Sequence, residues 1–218
     1  TDLVHRKSYI TEGATCHYTW YVPQNIQGLF NVINKSVDKS AKCLNRNVQG
    51  ISQSDTMSAV VSRLDKMFDE GLYWHGNEPC HQVAYLYDAA GAPWKTQQRI
   101  HHILNTEYND TPGGLSGNDD AGQMSAWYVF SAIGFYPVCP STPYYYIGTP
   151  SFDKVTFNLE NGKKFEIQAH GVGDKAFYIQ KTLLNGKPMS GYQLSHDDIL
   201  KGGNLEFWMG ERPANESK

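Results

Sequence analysis

The chain has 218 residues, of which 40% are apolar and 13% aromatic, and its 19 basic and 22 acidic side chains give a net charge of −3. This length suits one large domain or one and a half small ones, with ample apolar content for a core. The charge gives no electrostatic reason to expect nucleic acid or an anionic membrane as a partner, and no run of about 18 apolar residues would span a bilayer.

Helical patterns dominate the first 140 residues. Apolar residues recur at helical spacing, and proline or glycine stands where helices are expected to begin or end. The polar stretch 41–55 is predicted to be a loop. The predicted helices are residues 24–34, residues 52–68, residues 79–90, a helix from Pro93 through Leu104, and a last helix that opens at Asp119 or Asp120 and ends at Gly134.

The sequence after Pro140 is typical of β-structure. Short apolar or alternating runs predict strands, and Asn161-Gly162 and Asn185-Gly186 predict tight hairpin turns. We therefore predict an α+β fold, with helices in residues 1–140 and an antiparallel β-rich module in residues 141–218. The predicted strands are residues 144–147, 155–159, 164–167, 177–179, 182–184 and 205–207.

The segment from Gly117 to Ser125 is the most informative in the chain. It places Asp119 and Asp120 on a glycine-flanked turn just before an apolar helix. Carboxylates there face unpaired backbone N–H groups and the positive end of the helix dipole, so they are easily held ionised. That state suits a general base or a cation ligand. The alternative is a simple helix cap, for which Asp is a favoured residue.

Two other loops carry a carboxylate beside a glycine, where the backbone can approach a ligand closely. One contains Glu12-Gly13, and the other reads Trp74-His75-Gly76-Asn77-Glu78-Pro79. Aromatic residues near these loops stack well on sugar rings, although aromatics are equally good core residues. Glycoside hydrolysis needs two carboxyl groups on either side of the scissile bond, which an inverting enzyme holds roughly 6.5–9.5 Å apart. Separate loops at one end of a helical barrel would supply such a pair.

The order of these motifs resembles glycoside hydrolase family 92, whose members are calcium-dependent, inverting exo-α-mannosidases. The resemblance covers residues 9–150, with a looser match through the β tail. It rests on Thr-Glu-Gly before Tyr-Thr-Trp-Tyr-Val-Pro, His-Gly-Asn-Glu-Pro-x-His-x-x-Ala-Tyr-Leu-Tyr, Pro-Trp-Lys-Thr-Gln, Tyr-Asn-Asp-Thr-Pro-Gly-Gly-Leu-Ser-Gly-Asn-Asp-Asp-Ala-Gly-Gln-Met-Ser-Ala-Trp-Tyr-Val-Phe, and Gly-Phe-Tyr-Pro-Val-Cys-Pro.

The resemblance implies an (α/α) barrel catalytic domain, of which this chain would hold the C-terminal helices. Glu12 matches the general acid of the family. Asp119 and Asp120 match the acidic pair that supplies the general base and its support, and either could accept the proton. One stretch departs from the family pattern: residues 14–18 read Ala-Thr-Cys-His-Tyr, where many members have Asn-Ala-Trp-Gln-Tyr.

The resemblance also implies ligands. Asn77 and Glu78 match a loop at the calcium ion and the bound mannose, and with Asp119 they are the predicted calcium ligands. His75 is expected near the leaving group. Trp20 and Trp74, beside the carboxylate loops, are further candidates for sugar contacts.

Further expectations concern partners and location. The family implies mannose-containing glycans, including N-glycans, as substrates, and a secreted, periplasmic or cell-surface protein. No signal peptide is visible at Thr1, and the first residues resemble the interior of a domain, so a fragment or processed product is expected. An incomplete barrel would expose apolar faces, which predicts self-association.

Two other functions stay open beside the α-mannosidase. One is a non-catalytic carbohydrate-binding or structural module. Half a barrel on its own could be inactive and would then behave as such a module. Retention of Glu12 and the Asp pair argues against a parent protein that has lost catalysis. The other is an (α/α) barrel glycosidase acting on glucosides, against which the Gly-Asn-Glu-Pro and Gly-Asn-Asp-Asp loops count.

Overall fold

The computed structural model describes residues 9–43 and 53–214. Helices precede strands along most of this length, so the predicted α+β fold class is confirmed. None of the helices in these two ranges combines the length and the apolar character needed to cross a bilayer. The helices are α1 Thr15–Thr19, α2 Ile26–Cys43, α3 Gln53–Asp69, α4 Leu86–Ala89, α5 Pro93–Thr106, α6 Gln123–Ile133 and α7 His196–Lys201.

Helices α3 and α5 confirm the predictions for residues 52–68 and for the helix from Pro93. Helix α2 is longer than the predicted 24–34, since it continues to Cys43. The loop predicted for 41–55 is therefore helical at both of its described ends, and residues 44–52 lie outside the described residues. A polar stretch can continue a helix or form a loop, and its composition does not separate the two, which explains the error.

The single helix predicted for residues 79–90 is wrong. The chain forms two 3₁₀ turns, Glu78–Cys80 and Val83–Tyr85, before the short helix α4. Every side chain from Pro79 to Asp88 is buried, so this segment has no solvent-facing side to maintain an amphipathic helix. The Gln82 side-chain amide donates to the carbonyl oxygens of Pro79 and Trp20, at 3.0 and 3.3 Å.

The strands form two sheets. A three-stranded antiparallel sheet has the order β1-β2-β7, and a five-stranded sheet has the order β3-β4-β8-β5-β6. The strands are β1 Phe135–Tyr136, β2 Tyr144–Ile147, β3 Lys154–Asn158, β4 Lys164–His170, β5 Tyr178–Leu184, β6 Lys187–Pro188, β7 Gln193–Ser195 and β8 Gly203–Gly210.

The antiparallel prediction holds for every strand pair of these sheets except one, since β4 and β8 run parallel. Three strands and α7 lie between them in the chain, which is the long crossover that a parallel pair needs. Both predicted turns are present. Asn161-Gly162 lies between β3 and β4, and Asn185-Gly186 joins β5 to β6 with φ values of 52° and 76°.

The two parts of the chain share packed side chains. Phe135 of β1 packs with Phe165, Ile167, Leu205 and other buried residues of the β-module, and partly buried residues of α6 join the same cluster. Strand β1 precedes Pro140 and pairs with β2. The division at 140/141 and the placement of the helices in an (α/α) barrel stay predictions.

Helix α4 contains a buried carboxyl group, that of Asp88. Its side chain is 2% exposed, and neither carboxyl oxygen has a hydrogen-bond partner among the described residues. Burial raises the pKa of Asp88 well above its usual 3.8, and the nearby Thr96 hydroxyl opposes the shift only in part. The folded protein therefore holds this proton at pH values where the unfolded chain has released it.

We expect Asp88→Asn to flatten the dependence of stability on pH. Because the pKa of Asp88 is raised in the folded state, its contribution is complete below pH 3.8 and is lost as pH rises toward the folded value. Thermal unfolding of the full-length protein at several pH values above 4 measures the slope. Asp110→Asn, at an exposed position, is the matched control. Equal slopes for the wild type and Asp88→Asn would contradict the assignment.

Candidate active site

The three carboxylate loops converge on one cleft, which consists of two adjoining cavities with Asp120 in the wall of both. The first cavity has a volume of about 270 Å³, and its wall also includes Glu12, Trp74 and Asn77. The second has a volume of about 500 Å³, and its wall also includes Glu78. Residues that are far apart in the sequence thus share one surface.

Two glycines allow the second and third loops to touch. A Cβ atom on Gly76 would lie 2.5 Å from the carbonyl oxygen of Ser116, and one on Gly117 would overlap the backbone of Gly76. The first loop is attached through Asn77, whose side-chain Nδ2 donates to the carbonyl oxygen of Glu12 at 3.1 Å. Asn77 is buried whereas Glu12 is exposed, so the bond anchors an exposed loop to a buried side chain.

We expect Gly117→Ala to separate the two loops and to lower activity, because the added methyl group meets backbone that cannot rotate away. The expected loss is at least tenfold in kcat/KM, since small displacements of catalytic groups are costly. Steady-state kinetics of the full-length protein measure it. Gly113→Ala, where a Cβ atom meets open space, is the control. Wild-type kinetics for Gly117→Ala would show that the close approach is unnecessary.

The two aspartates of the turn differ sharply. Asp119 Oδ1 accepts the backbone N–H of Ser125 at 2.9 Å and the Ser125 hydroxyl at 2.8 Å, while its carbonyl oxygen accepts the N–H of Met124 at 3.1 Å. These bonds satisfy N–H groups in the first turn of α6. Helix α6 begins at Gln123 with Gly122 as its N-cap, later than the predicted start at Asp119 or Asp120, and the Asp119 side chain stabilises its first turn from outside the N-cap position.

Asp120 instead points into the cleft beside Glu78. A hydrogen bond with the Glu78 side chain, followed by minor burial and by the negative charges of Glu78 and Asp119, raises the pKa of Asp120, and His81 opposes the shift. Two carboxyl groups in contact favour a shared proton or a cation between them. The Asp120 side chain is exposed, so it remains accessible to water and ligands.

Unusual backbone conformations also concentrate at the cleft. Among the described non-glycine residues, φ is positive at Glu12 (57°), Asp120 (48°), Ala121 (56°) and Asn185 (52°). Asn185 lies in a hairpin turn, where such values are normal. The other three lie on the carboxylate loops, and strained backbone of this kind clusters at functional sites.

Two predicted sugar contacts lie in the core instead. His75 is fully buried, with its Nδ1 atom 2.7 Å from the Tyr73 hydroxyl and its Nε2 atom 2.7 Å from the Tyr108 hydroxyl. Burial lowers the pKa of His75 to about 2, so its ring is neutral. Trp20 packs in the helical core. Neither side chain has a surface for a sugar, whereas Trp74 lies in the wall of the first cavity.

Five polar residues in the wall of the second cavity have no predicted role. They are Tyr21, His81, Gln82, Gln123 and Tyr136. The only sequence signal was spacing, since His81 follows Glu78 by three residues and Gln123 follows Asp120 by three. In the part of the chain that the structure describes, no three His, Cys, Asp or Glu side chains are grouped to hold a metal by themselves.

The chain matches known proteins over nearly all of its length. The model of the glycosyl hydrolase family 92 catalytic domain matches residues 2–211. A protein from the fungus Arthroderma benhamiae, described as an uncharacterized secreted glycosidase, is 34% identical over 161 residues, which are 72% of this chain and 21% of that protein.

Solved structures give the same result. A family GH92 α-mannosidase from Bacteroides thetaiotaomicron is 40% identical, with a TM-score of 0.82 over 99% of this chain and 27% of that one. Its complex with mannoimidazole matches with 38% identity and a TM-score of 0.82, over 98% and 28% of the two chains. A family GH92 inverting mannosidase from the same organism is 34% identical, with a TM-score of 0.82 over 98% and 29%.

The chain thus spans between a fifth and about three tenths of the length of these relatives. The family model nevertheless covers almost every residue, and the structural matches extend through both the helices and the β-module. From this coverage, the chain belongs to glycosyl hydrolase family 92.

Proposed function

We propose that the protein carrying this chain removes terminal α-linked mannose from glycans by a calcium-dependent, inverting mechanism. The observation that carries the proposal is the convergence of Glu12, Glu78 and Asp120 on one cleft. The mannosidases among its structural relatives support the choice of sugar. Because the chain spans about a quarter of those proteins, the activity is proposed for the full-length protein.

In the proposed reaction, Glu12 protonates the glycosidic oxygen as the leaving group departs. Asp120 removes a proton from the water that attacks the opposite face of the sugar. We assign the base to Asp120 rather than Asp119 because one carboxylate oxygen of Asp119 already holds the first turn of α6. The position of Asp120 in the walls of both cavities supports the role, since a general base must reach the attacking water.

The donor set of the cleft fits calcium. Asn77 offers an amide oxygen and Glu78 offers carboxylate oxygens, and a cation held there would offset the repulsion between Glu78 and the neighbouring Asp120. Calcium takes six to eight hard oxygen ligands, so carbonyl, water and sugar oxygens would complete its shell. Asn77 and Glu78 are the proposed protein ligands, with Asp119 as a further candidate. The bound ion would orient sugar hydroxyls and favour distortion of the ring.

Calorimetric titration of the full-length protein with mannoimidazole, with calcium and then with a chelator, tests the proposal. Mannoimidazole is a suitable probe because it forms a complex with the related Bacteroides enzyme. We expect affinity at least tenfold higher with calcium, on the scale by which effectors typically change affinity. Equal affinity in both conditions would contradict the calcium requirement. Sugar binding without hydrolysis of any α-mannoside would instead favour the non-catalytic module.

The sugar that is first released tests the stereochemistry. An inverting enzyme releases the β-anomer from an α-mannoside, and ¹H NMR distinguishes the two anomers before they equilibrate. Release of the α-anomer would indicate a double displacement, with a carboxylate acting as nucleophile instead of base.

Location and assembly are also proposals. The secreted fungal relative supports a secreted, periplasmic or cell-surface protein acting on mannose-containing glycans. Exposed apolar side chains on α6, such as Tyr128 and Val129, support self-association of the isolated chain.

A further inference from the structure

A hydrogen-bonded link beneath the cleft joins the segment that carries Glu78 to the segment that carries Asp120. His81 lies three residues after Glu78, and Gln123 lies three residues after Asp120. The Gln123 Nε2 atom is 3.1 Å from His81 Nδ1 and 3.0 Å from the Tyr136 hydroxyl oxygen. His81 is almost completely buried and Gln123 is partly buried, and both side chains lie in the wall of the second cavity.

The proton positions in the link follow from its partners. His81 Nε2 lies 3.0 Å from the carbonyl oxygen of His75, and a carbonyl can only accept, so Nε2 carries the proton. His81 Nδ1 is then an acceptor for the Gln123 amide. Burial lowers the pKa of His81 to about 4, against opposing effects of the His75 carbonyl and Asp120, so the ring stays neutral with one donor and one acceptor.

The far end of the link is fixed as well. The Tyr108 hydroxyl donates to the carbonyl oxygen of Met124 at 3.0 Å, so its oxygen accepts from His75 Nε2, and the Tyr73 hydroxyl donates to His75 Nδ1. Met124 directly follows Gln123 in α6. The loop with Glu78 and the start of α6 therefore rest on one buried polar network, in which each histidine nitrogen has a partner.

Neither carboxylate is placed by a long regular element. Glu78 begins a 3₁₀ turn, and Asp120 lies on a turn with positive φ. The relative position of Glu78 and Asp120 therefore depends on the contacts between the two backbone segments that carry them. We propose that His81 and Gln123 are positioning residues, whose mutual hydrogen bond keeps Glu78 and Asp120 together in the wall of the second cavity and thereby sets the rate of the reaction. This inference rests on the proposed function of the same cleft.

Three variants of the full-length protein separate this link from general packing. Gln123→Met removes the donor with little change in size. In His81→Asn, the amide oxygen takes the place of Nδ1 and preserves the acceptor for Gln123. In His81→Gln, the longer amide reaches the place of Nε2 and preserves only the bond to His75. Gln98→Met, at an exposed site on α5, makes the same chemical change away from the cleft.

We expect Gln123→Met and His81→Gln to lower kcat by about 10- to 100-fold, the usual effect of losing an orienting partner, with KM changed less than threefold. His81→Asn should recover most of that loss, and Gln98→Met should match the wild type. A purely structural role would not predict that His81→Asn restores kcat when His81→Gln does not. It would also not predict a loss in kcat that leaves KM nearly unchanged. Thermal unfolding confirms that each variant is folded.

Two results would overturn the inference. One is a kcat for Gln123→Met within twofold of the wild type. The other is an equal loss for His81→Asn and His81→Gln, which would place the effect outside the bond to Gln123. Wild-type hydrolysis of an α-mannoside, measured in the same series, tests the proposed function separately, so failure of one proposal is distinguishable from failure of the other.

Discussion

Asp120→Asn is expected to lower kcat by about 10²–10⁴-fold, the usual contribution of a general base. The change removes the charge but keeps the shape, and Asp120 is exposed in the cleft, so folding should be unaffected. Initial rates on an α-mannoside with saturating calcium measure the loss. Mannoimidazole titration then shows whether sugar binding survives, as expected for a residue that acts on water.

Asp119→Asn is the matched control. Asn accepts the same hydrogen bonds at a helix N-terminus, so the cap formed with Ser125 should persist. At saturating calcium we expect a loss of kcat below about tenfold, since Asp119 transfers no proton in the proposed reaction and Asn keeps a side-chain oxygen for the cation. A larger loss for Asp119→Asn than for Asp120→Asn would assign the base to Asp119 and would reverse our choice between the two residues.

Glu12→Gln is expected to lower kcat/KM by about 10²–10⁴-fold on a mannosyl disaccharide, because the departing sugar hydroxyl needs a proton. The leaving group of a dinitrophenyl α-mannoside is a dinitrophenolate anion, which is stable without a proton. On that substrate we expect kcat/KM to fall by less than about tenfold, because its hydrolysis does not need a general acid. The ratio of the two losses is the measurement, because a general disturbance of the cleft would affect both substrates alike.

Asp120→Asn again serves as the comparison for this experiment. Attack by water is needed whichever group leaves, so that variant should be impaired on both substrates. Equal losses for Glu12→Gln on the two substrates would remove Glu12 from the acid role. Together, the two variants assign acid and base by chemistry instead of by position in the cleft.

Local signals predicted much of the fold correctly. Pro93 and apolar spacing located α5, and the Asn-Gly pairs located two hairpin turns, because these features depend on backbone preferences of a few adjacent residues. The long ordered motifs were enough to indicate the family, and the family model confirms it. The three carboxylate loops were also identified from their residue types alone.

Other features depended on distant parts of the chain. The segment from Pro79 to Asp88 is buried on all sides and does not form the single helix that its apolar spacing predicted. Strand β8 pairs in parallel with β4 although three strands and α7 separate them in the chain. His75 was predicted to lie near the leaving group of the sugar, but it is buried and hydrogen-bonded to two tyrosine hydroxyls. Burial and partners of this kind cannot be read from spacing.

The sequence by itself determined the fold class, the family and the identity of the carboxylates near the cleft. The different surroundings of Asp119 and Asp120 appear only in the tertiary structure, since adjacent residues with the same chemistry give no local signal that separates them. The Asp119 carboxylate accepts hydrogen bonds from the first turn of α6. The Asp120 carboxylate lies beside Glu78, which belongs to a loop 42 positions earlier in the chain. Conformational preferences act over a few residues, whereas hydrogen bonding, burial and charge act through space, so only the folded chain distinguishes the two.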